Sequence, residues 1–163
     1  MIVLKNILVA TDFSEPSATA LNYGRDLARS YGATLHVLHV ADDTLLRYGP
    51  EVAFAIPDFQ ADLDRKAAEA LDALVTADDR RTLQVVTALE SGRPANVIAE
   101  YAKRKSIDVI VVGTHGRGGV QHLLMGSVAE RVVRTAPCPV LTVRAHEREF
   151  IAPDALVTQC AVR

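Results

Sequence analysis

Apolar residues recur along this chain with two periods, and the alternation of those periods predicts its elements. Residues 2–10 (IVLKNILVA) read as a first strand ending at Thr11-Asp12. Ser14 then stands in the N-cap position of a helix, with Glu15 and Pro16 in its first turn. Ala20, Leu21, Gly24, Leu27, Ala28 and Tyr31 follow at helical spacing, and Gly32 stops the run. Residues 34–40 (TLHVLHV) form a second strand. From 41 to 56 the periodicity disappears, in a connection longer than most within a domain that carries Gly49 and Pro50 and runs up to Pro57. Residues 58–79 predict a second helix with Leu63, Ala67, Ala70, Leu71 and Leu74 on one side. Residues 83–89 (LQVVTAL) give a third strand. Gly92-Arg93-Pro94 opens a third helix through Val97, Ile98, Tyr101 and Ala102, and Lys103, Arg104 and Lys105 suit its C-terminal dipole. A fourth helix spans Ser127 to about Thr135, and Pro137-Cys138-Pro139 leads into a last strand at 140–143.

The stretch between the third and fourth helices differs from the rest. Val109-Ile110-Val111-Val112 is a run of four β-branched residues, the pattern of a strand buried on both faces, and it stops at Gly113. Gly116, Gly118 and Gly119 follow among polar residues, then Leu123-Leu124-Met125, then Gly126-Ser127 at a helix start. A buried strand feeding a glycine loop and a helix N-terminus is an arrangement that can hold phosphate, through free backbone N–H groups and the helix dipole. Gly113 and Gly116 would let the backbone approach a ligand, and Ser127 adds a hydroxyl. A glycine-rich surface loop with no ligand is the alternative, since such loops are common.

Five strands alternating with four helices predict an α/β fold: an open, mostly parallel five-stranded sheet with helices on both faces and right-handed crossovers. Ligands of such sheets sit beyond the carboxyl ends of the strands. The loops at 10–14 and 40–43 and the glycine loop therefore ring the expected crevice.

Composition narrows the function classes. With 49% hydrophobic and 23% charged residues among 163, one domain can bury a sizeable core, and no window approaches ~18 consecutive apolar residues. The first residues carry a strand pattern and no basic region or cleavage site, so no secretory leader is expected. A net charge of −2, no Trp and no basic stripe argue against nucleic acid as a partner. Cys138 and Cys160 form neither a disulfide framework nor a zinc set, which points to the cytoplasm. Cys138, between two prolines, reads as a small buried residue, and nothing near Cys160 in the sequence assigns it a role. His36 and His39, three apart on a strand, face opposite ways and cannot share a metal; each is expected to be packed or at an edge. His115 and His122 flank the glycine loop, where either phosphate or solvent suits them.

The order Gly113-x2-Gly116-x9-Gly126-Ser127 resembles the nucleotide motif of the universal stress proteins. The segments ILVATDFSEPSATAL, DVIVVGTHGRGG and SVAERVVRTAPCPVLTV look like that family too, in its order and at its distances. The resemblance covers about residues 3 to 143. It implies strand order 3-2-1-4-5 (Rossmann-like), a domain over 1–145, a C-terminal extension over 146–163, dimerisation, and, because the glycine motif is intact, ATP binding. In such relatives the loop after the first strand places an acidic residue near ribose and phosphates, here Asp12 flanked by Ala10, Thr11 and Ser14. Backbone at the end of the second strand grips adenine, here Val40, and Val112-Gly113 lies along the sugar. Gly116, Arg117, Gly126, Ser127 and Val128 would surround the phosphates. Asp12 would share Mg²⁺ with them; Asp before a helix is also a common turn or capping residue.

Catalysis is not expected to exceed slow ATP hydrolysis. The glycine loop holds no Lys, no G-x4-G-K-[ST], and no acidic residue between Gly113 and Ser127, and the first loop reads ATDFS and not SGGxDS. The reading is a cytoplasmic ATP-binding regulator in stress response, without membrane or nucleic-acid partners. An ATPase or nucleotide transferase and a nucleotide-free interaction module are the alternatives. The last strand, Val140-Leu141-Thr142-Val143, is an uncharged sheet edge and the expected homodimer interface, with the extension packed across the dimer or against the partner.

Overall fold

The structure, a computed structural model, describes residues 2–41, 59–114 and 125–145. Most of the long connection, the centre of the glycine loop (with His115, Gly116, Arg117 and His122) and the extension from 146, with Cys160, lie outside the described residues. In chain order the elements are β1 (Asn6–Thr11), α1 (Glu15–Tyr31), β2 (Thr34–Ala41), α2 (Phe59–Leu74), α3 (Ala77–Thr82), β3 (Val85–Ser91), α4 (Pro94–Arg104), β4 (Val109–Gly113), α5 (Ser127–Thr135) and β5 (Val140–Val143). All pairings are parallel, in the order β3-β2-β1-β4-β5. The expected α/β architecture and strand order are therefore both present.

Period-2 alternation assigns each strand residue to one of two layers. Ile7 and Val9, Leu35 and Val37, Val111 and Val143 pack with Ala20, Leu21 and Ala28 of α1 and Leu71 of α2. On the other face Leu8, Leu38, Ile110 and Val112 pack with Ile98, Tyr101 and Ala102 of α4 and with Ala129 and Val132 of α5. Gly24 lets α1 lie close to the sheet, because a Cβ there would overlap Cγ2 of Val9 and meet Cδ1 of Leu35 at 3.3 Å.

Three boundaries differ from expectation, each for a physical reason. The first strand begins at Asn6, not at residue 2, and Ile2 and Val3 are exposed. The Asp108 carboxylate accepts the N–H groups of Lys5 (2.6 Å) and Asn6 (2.8 Å) and so sets the strand's start from 103 and 102 residues away. The expected helix over 58–79 breaks in two, giving five helices among the described residues where four were predicted. Thr76 caps α3 reciprocally with Asp79, accepting from its N–H at 3.1 Å while its own N–H reaches the Asp79 carboxylate at 3.0 Å. Buried Asp79 also accepts from Arg25 (2.9 Å) and Arg29 (3.1 Å), pinning α3 to α1. Burial works to raise the Asp79 pKa, but hydrogen bonds from Thr76 and the Arg25 guanidinium outweigh it and leave the carboxyl below its usual range. The third strand runs over Val85–Ser91, two residues later at each end than predicted, because Leu83 still closes α3 with its N–H on the Asp79 carbonyl at 2.8 Å.

Candidate functional site

The carboxyl ends of β1, β2 and β4 converge beside the N-terminus of α5. Ala10 and Val40 pack against the α4/α5-side core, as do buried Val112 and, from just before α5, Met125. Register explains the grouping: Ala10 lies opposite Val112 on one side and Leu38 on the other, and Val40 is two residues past Leu38 on the same face. These four residues form an apolar floor at the sheet edge where the ligand was expected.

The ends of the glycine loop are clasped together. The Gly126 N–H donates to the Thr114 carbonyl at 2.6 Å, and the Thr114 N–H donates to Val143 at 2.7 Å. Thr114, at the end of β4, and Gly126, just before α5, are therefore held side by side. There Gly126 is the N-cap and supplies no side-chain cap, and the first helical bond is Glu130 N–H to the Gly126 carbonyl at 3.0 Å. The N–H groups of Ser127, Val128 and Ala129 precede that bond and have no partner within the helix. Ser127 and Val128 are exposed.

The loop after β1 is held by its own side chains. Asp12 Oδ1 accepts the Ser14 N–H at 3.1 Å and the Ser14 hydroxyl. Ser14 thus occupies the N-cap position of α1, as expected, but its hydroxyl goes to Asp12 and not to the helix. The turn role weighed for Asp12 is present. Ser17 donates to the Ser14 carbonyl at 2.8 Å, which uses its one hydroxyl hydrogen. Thr11 is therefore the donor in its 3.1 Å bond with Ser17, while its Oγ1 accepts the Phe13 N–H at 3.0 Å. The Thr11 side chain is buried and turned inward, so only its backbone is offered at the loop.

Gly113 has a reason within the fold besides the ligand approach that was expected of it. A Cβ there would meet the Pro16 backbone carbon at 2.8 Å and its oxygen at 3.0 Å, so the missing side chain is required by the first turn of α1.

The two strand histidines part to opposite faces. His36 Nδ1 bonds the Tyr101 hydroxyl at 3.0 Å beneath α4, whereas His39 lies on the α1 side, with its ring 4.4 Å from Phe13. Among the described residues no three His, Cys, Asp or Glu side chains group closely enough to hold a metal. Cys138 is half-buried, and its thiol is pushed up by burial and by the charge of Asp108, so it is no ready nucleophile. Burial, reinforced by the positive charge of Lys105, holds His36 below its usual pKa. The unfolded chain then takes up the proton first, so stability is full above about pH 6.5 and falls as pH drops below it. Thermal unfolding should show a lower Tm at pH 5.5 than at 7.5, and His36→Asn, which cannot titrate, should make that slope shallower. An unchanged slope in the variant would remove His36 as its source.

Comparison with known proteins places this geometry. The model of the universal stress protein family matches residues 4–144. The chain belongs to that family. A universal stress protein of Methanocaldococcus jannaschii is 32% identical over 146 residues, covering 89% of this chain and 85% of the relative. The structure of universal stress protein UspA from Lactobacillus plantarum superposes with a TM-score of 0.74 at 31% identity, over 88% of this chain and 100% of that one. A universal stress protein from Archaeoglobus fulgidus, solved in complex with dAMP, shares the fold with a TM-score of 0.59 at 22% identity, over 88% of this chain and 99% of that one.

In this universal stress protein several residues at the candidate site escaped the sequence reading. Met125 completes the apolar floor, and Thr114 ties the loop ends. Phe13 takes a left-handed backbone, φ 64°, that a bulky residue rarely adopts. No local pattern marks any of these, because each depends on chain brought from another strand. Only the capping box at Thr76-x-x-Asp79 was written locally, and it lies away from the site.

Proposed function

We propose that this universal stress protein binds ATP, with Mg²⁺, at the carboxyl edge of its sheet and regulates its partners in the cytoplasm according to the nucleotide held. The observation that carries the reading is the first turn of α5: N–H groups beyond the reach of intrahelical bonds, a glycine cap without a side chain, and the end of β4 held against that cap through Thr114 and Gly126. Such a terminus suits a polyphosphate, through directed donors and the helix dipole. Gly126 has φ −71° and ψ 154°, a conformation open to any residue, so backbone strain does not demand glycine there. In this reading the glycine leaves room for a ligand as well as capping the helix. The floor of Ala10, Val40, Val112 and Met125 suits an apolar base face and sugar, and the dAMP held by the relative of the same fold is consistent with an adenine nucleotide.

Residues with a place in this reading are Ala10, Thr11 and Val112-Gly113 by their backbone, Asp12 and Ser14 in the first loop, Val40 at the adenine, and Gly126, Ser127 and Val128 at the phosphates. Gly116 and Arg117 belong to it by the motif alone. The donor set fits the metal modestly. Asp12 supplies one carboxylate, and Mg²⁺ is commonly held by one or two carboxylates together with substrate phosphates and water. When bound, the ion would neutralise phosphate charge. The chain's own groups position the nucleotide, and no carboxylate lies between Gly113 and Ser127 to serve as a base, so hydrolysis is expected to be slow at most.

Denaturing the purified protein and chromatographing the supernatant tests the reading. Adenine nucleotide should be released, or should bind on titration, with ATP tighter than GTP because guanine reverses donor and acceptor at the six-position. Neither release nor binding would leave a nucleotide-free interaction module. Turnover above about one per second would make it an enzyme.

A further inference from the structure

We infer that His39 is a positioning residue for the nucleotide loop: its Nδ1–H and its ring, packed at a tilt against Phe13, hold residues 11–14 in the shape that offers Asp12 to the ligand. The inference rests on the nucleotide-binding reading and extends it to a residue outside the glycine motif and outside the residues assigned to the ligand. Thr11 and His39 are direct partners across β1 and β2, at the last position where those two strands pair. Past that point the β1 chain has no neighbouring strand to direct it. His39 Nδ1 lies 2.7 Å from the Thr11 carbonyl oxygen. A carbonyl only accepts, so Nδ1 must carry the hydrogen. That bond fixes the last peptide of the strand and, with it, the direction in which Asp12 leaves.

The same ring then supports the next residue. Phe13 stands at φ 64°, a strained conformation for a side chain with a Cβ that persists only where its surroundings enforce it. Its surroundings include the His39 ring, with centroids 4.4 Å apart and planes at 42°, and the Thr11 hydroxyl that accepts its N–H. His39 therefore acts on both sides of Asp12, by a hydrogen bond at Thr11 and by ring contact at Phe13. The Asp12–Ser14 turn, with the Ser14 N–H at 3.1 Å, is strung between those anchors. A histidine contributing only to the core would need neither contact with the loop.

Calorimetric titration of ATP into folded variants, with NMR of the imidazole nitrogens, tests this. In the wild type His39 should show protonated Nδ1. His39→Leu keeps an apolar body against Phe13 but loses the donor, and ATP affinity should fall about tenfold or more, the scale of one lost directed bond. His39→Asn, whose side-chain NH₂ stands near the position of Nδ1, should restore most of the affinity. Phe13→Gly, which suits the left-handed backbone and so relieves the strain, should weaken ATP nonetheless because the ring is gone. Unchanged affinity in His39→Leu, no rescue by His39→Asn, or a proton on Nε2 alone would overturn the inference. Failure of the wild type to bind any nucleotide would instead overturn the proposed function beneath it.

Discussion

Replacing Gly126 by valine and Ser127 by alanine should abolish ATP binding and leave the fold standing. The fold has little at stake at these positions. The dihedral angles of Gly126 lie where valine is at ease, and its N–H bond to Thr114 and its carbonyl bond from Glu130 survive the change. Valine is a poorer N-cap than glycine, which costs about 1 kcal/mol. Ser127 is exposed and begins the helix, where alanine is the better helix former. The ligand has far more at stake. A branched side chain at the cap would stand in front of the donors of the first turn, and the Ser127 hydroxyl would be gone. Each charge-assisted hydrogen bond to phosphate is worth about 1.5–3 kcal/mol, so losing two weakens binding by about 10²–10⁴-fold. Calorimetry on the double variant, with circular dichroism to show that it is folded, gives the answer. Unchanged affinity in a folded double variant would mean that the phosphates, if bound at all, are held elsewhere.

What the sequence made legible, and what it did not, divides by distance along the chain. Period-2 runs such as 34–40 and the β-branched run at 109–112 name their strands locally, since burial on one face or on two writes itself into neighbouring residues. Helix ends marked by Pro16, Gly32 and Pro94 were legible for the same reason. The strand order came from family resemblance, because parallel pairing leaves no local mark. The contacts that shape the site are long-range. His39 meets Thr11 across 28 residues, and Pro16 occupies the space a Gly113 Cβ would need. The histidine was expected to be packed or at an edge, and its link to the loop required the register of β1 against β2. Gly113 was read as room for a ligand, and its closeness to Pro16 was not legible, because a glycine beside a bulky neighbour looks the same in sequence as a glycine beside a phosphate. The break between α2 and α3 was the one local signal passed over, since Thr76-x-x-Asp79 has the spacing of a capping box and interrupts an otherwise helical run.

A proline at Thr142 should convert a dimer into a monomer with little cost to the fold. Among the described residues β5 pairs only with β4 and forms one edge of the sheet. Pro139 accepts from the Ile110 N–H at 3.0 Å and Val143 accepts from the Thr114 N–H at 2.7 Å. In a parallel ladder the N–H and C=O of one residue point the same way and alternate along the strand, so 139, 141 and 143 address β4. Val140 and Thr142 then direct their backbone groups away from the sheet. No charge lies between Ala136 and Val143 to discourage pairing, and Val140, Leu141 and Thr142 are each half-buried in the single chain. An edge with these properties is normally covered or paired, and pairing with the same strand of a second copy closes on itself about a two-fold axis. Thr142→Pro removes an outward donor and no donor to β4, and proline is tolerated where the N–H would face away from the sheet. It also favours extended backbone at Leu141, which that residue already has. Two-fold symmetry makes the one substitution act twice at the interface. Light scattering should report about twice the 17.6 kDa chain mass for the wild type and the single mass for the variant. A wild type that is monomeric at micromolar concentration would end the proposal. A variant that stays dimeric would move the interface off β5. Removing residues 147–163 separates the two surfaces proposed for assembly: a lower melting temperature or a weaker dimer assigns part of the interface to the extension, and no change leaves the whole of it with the edge strand.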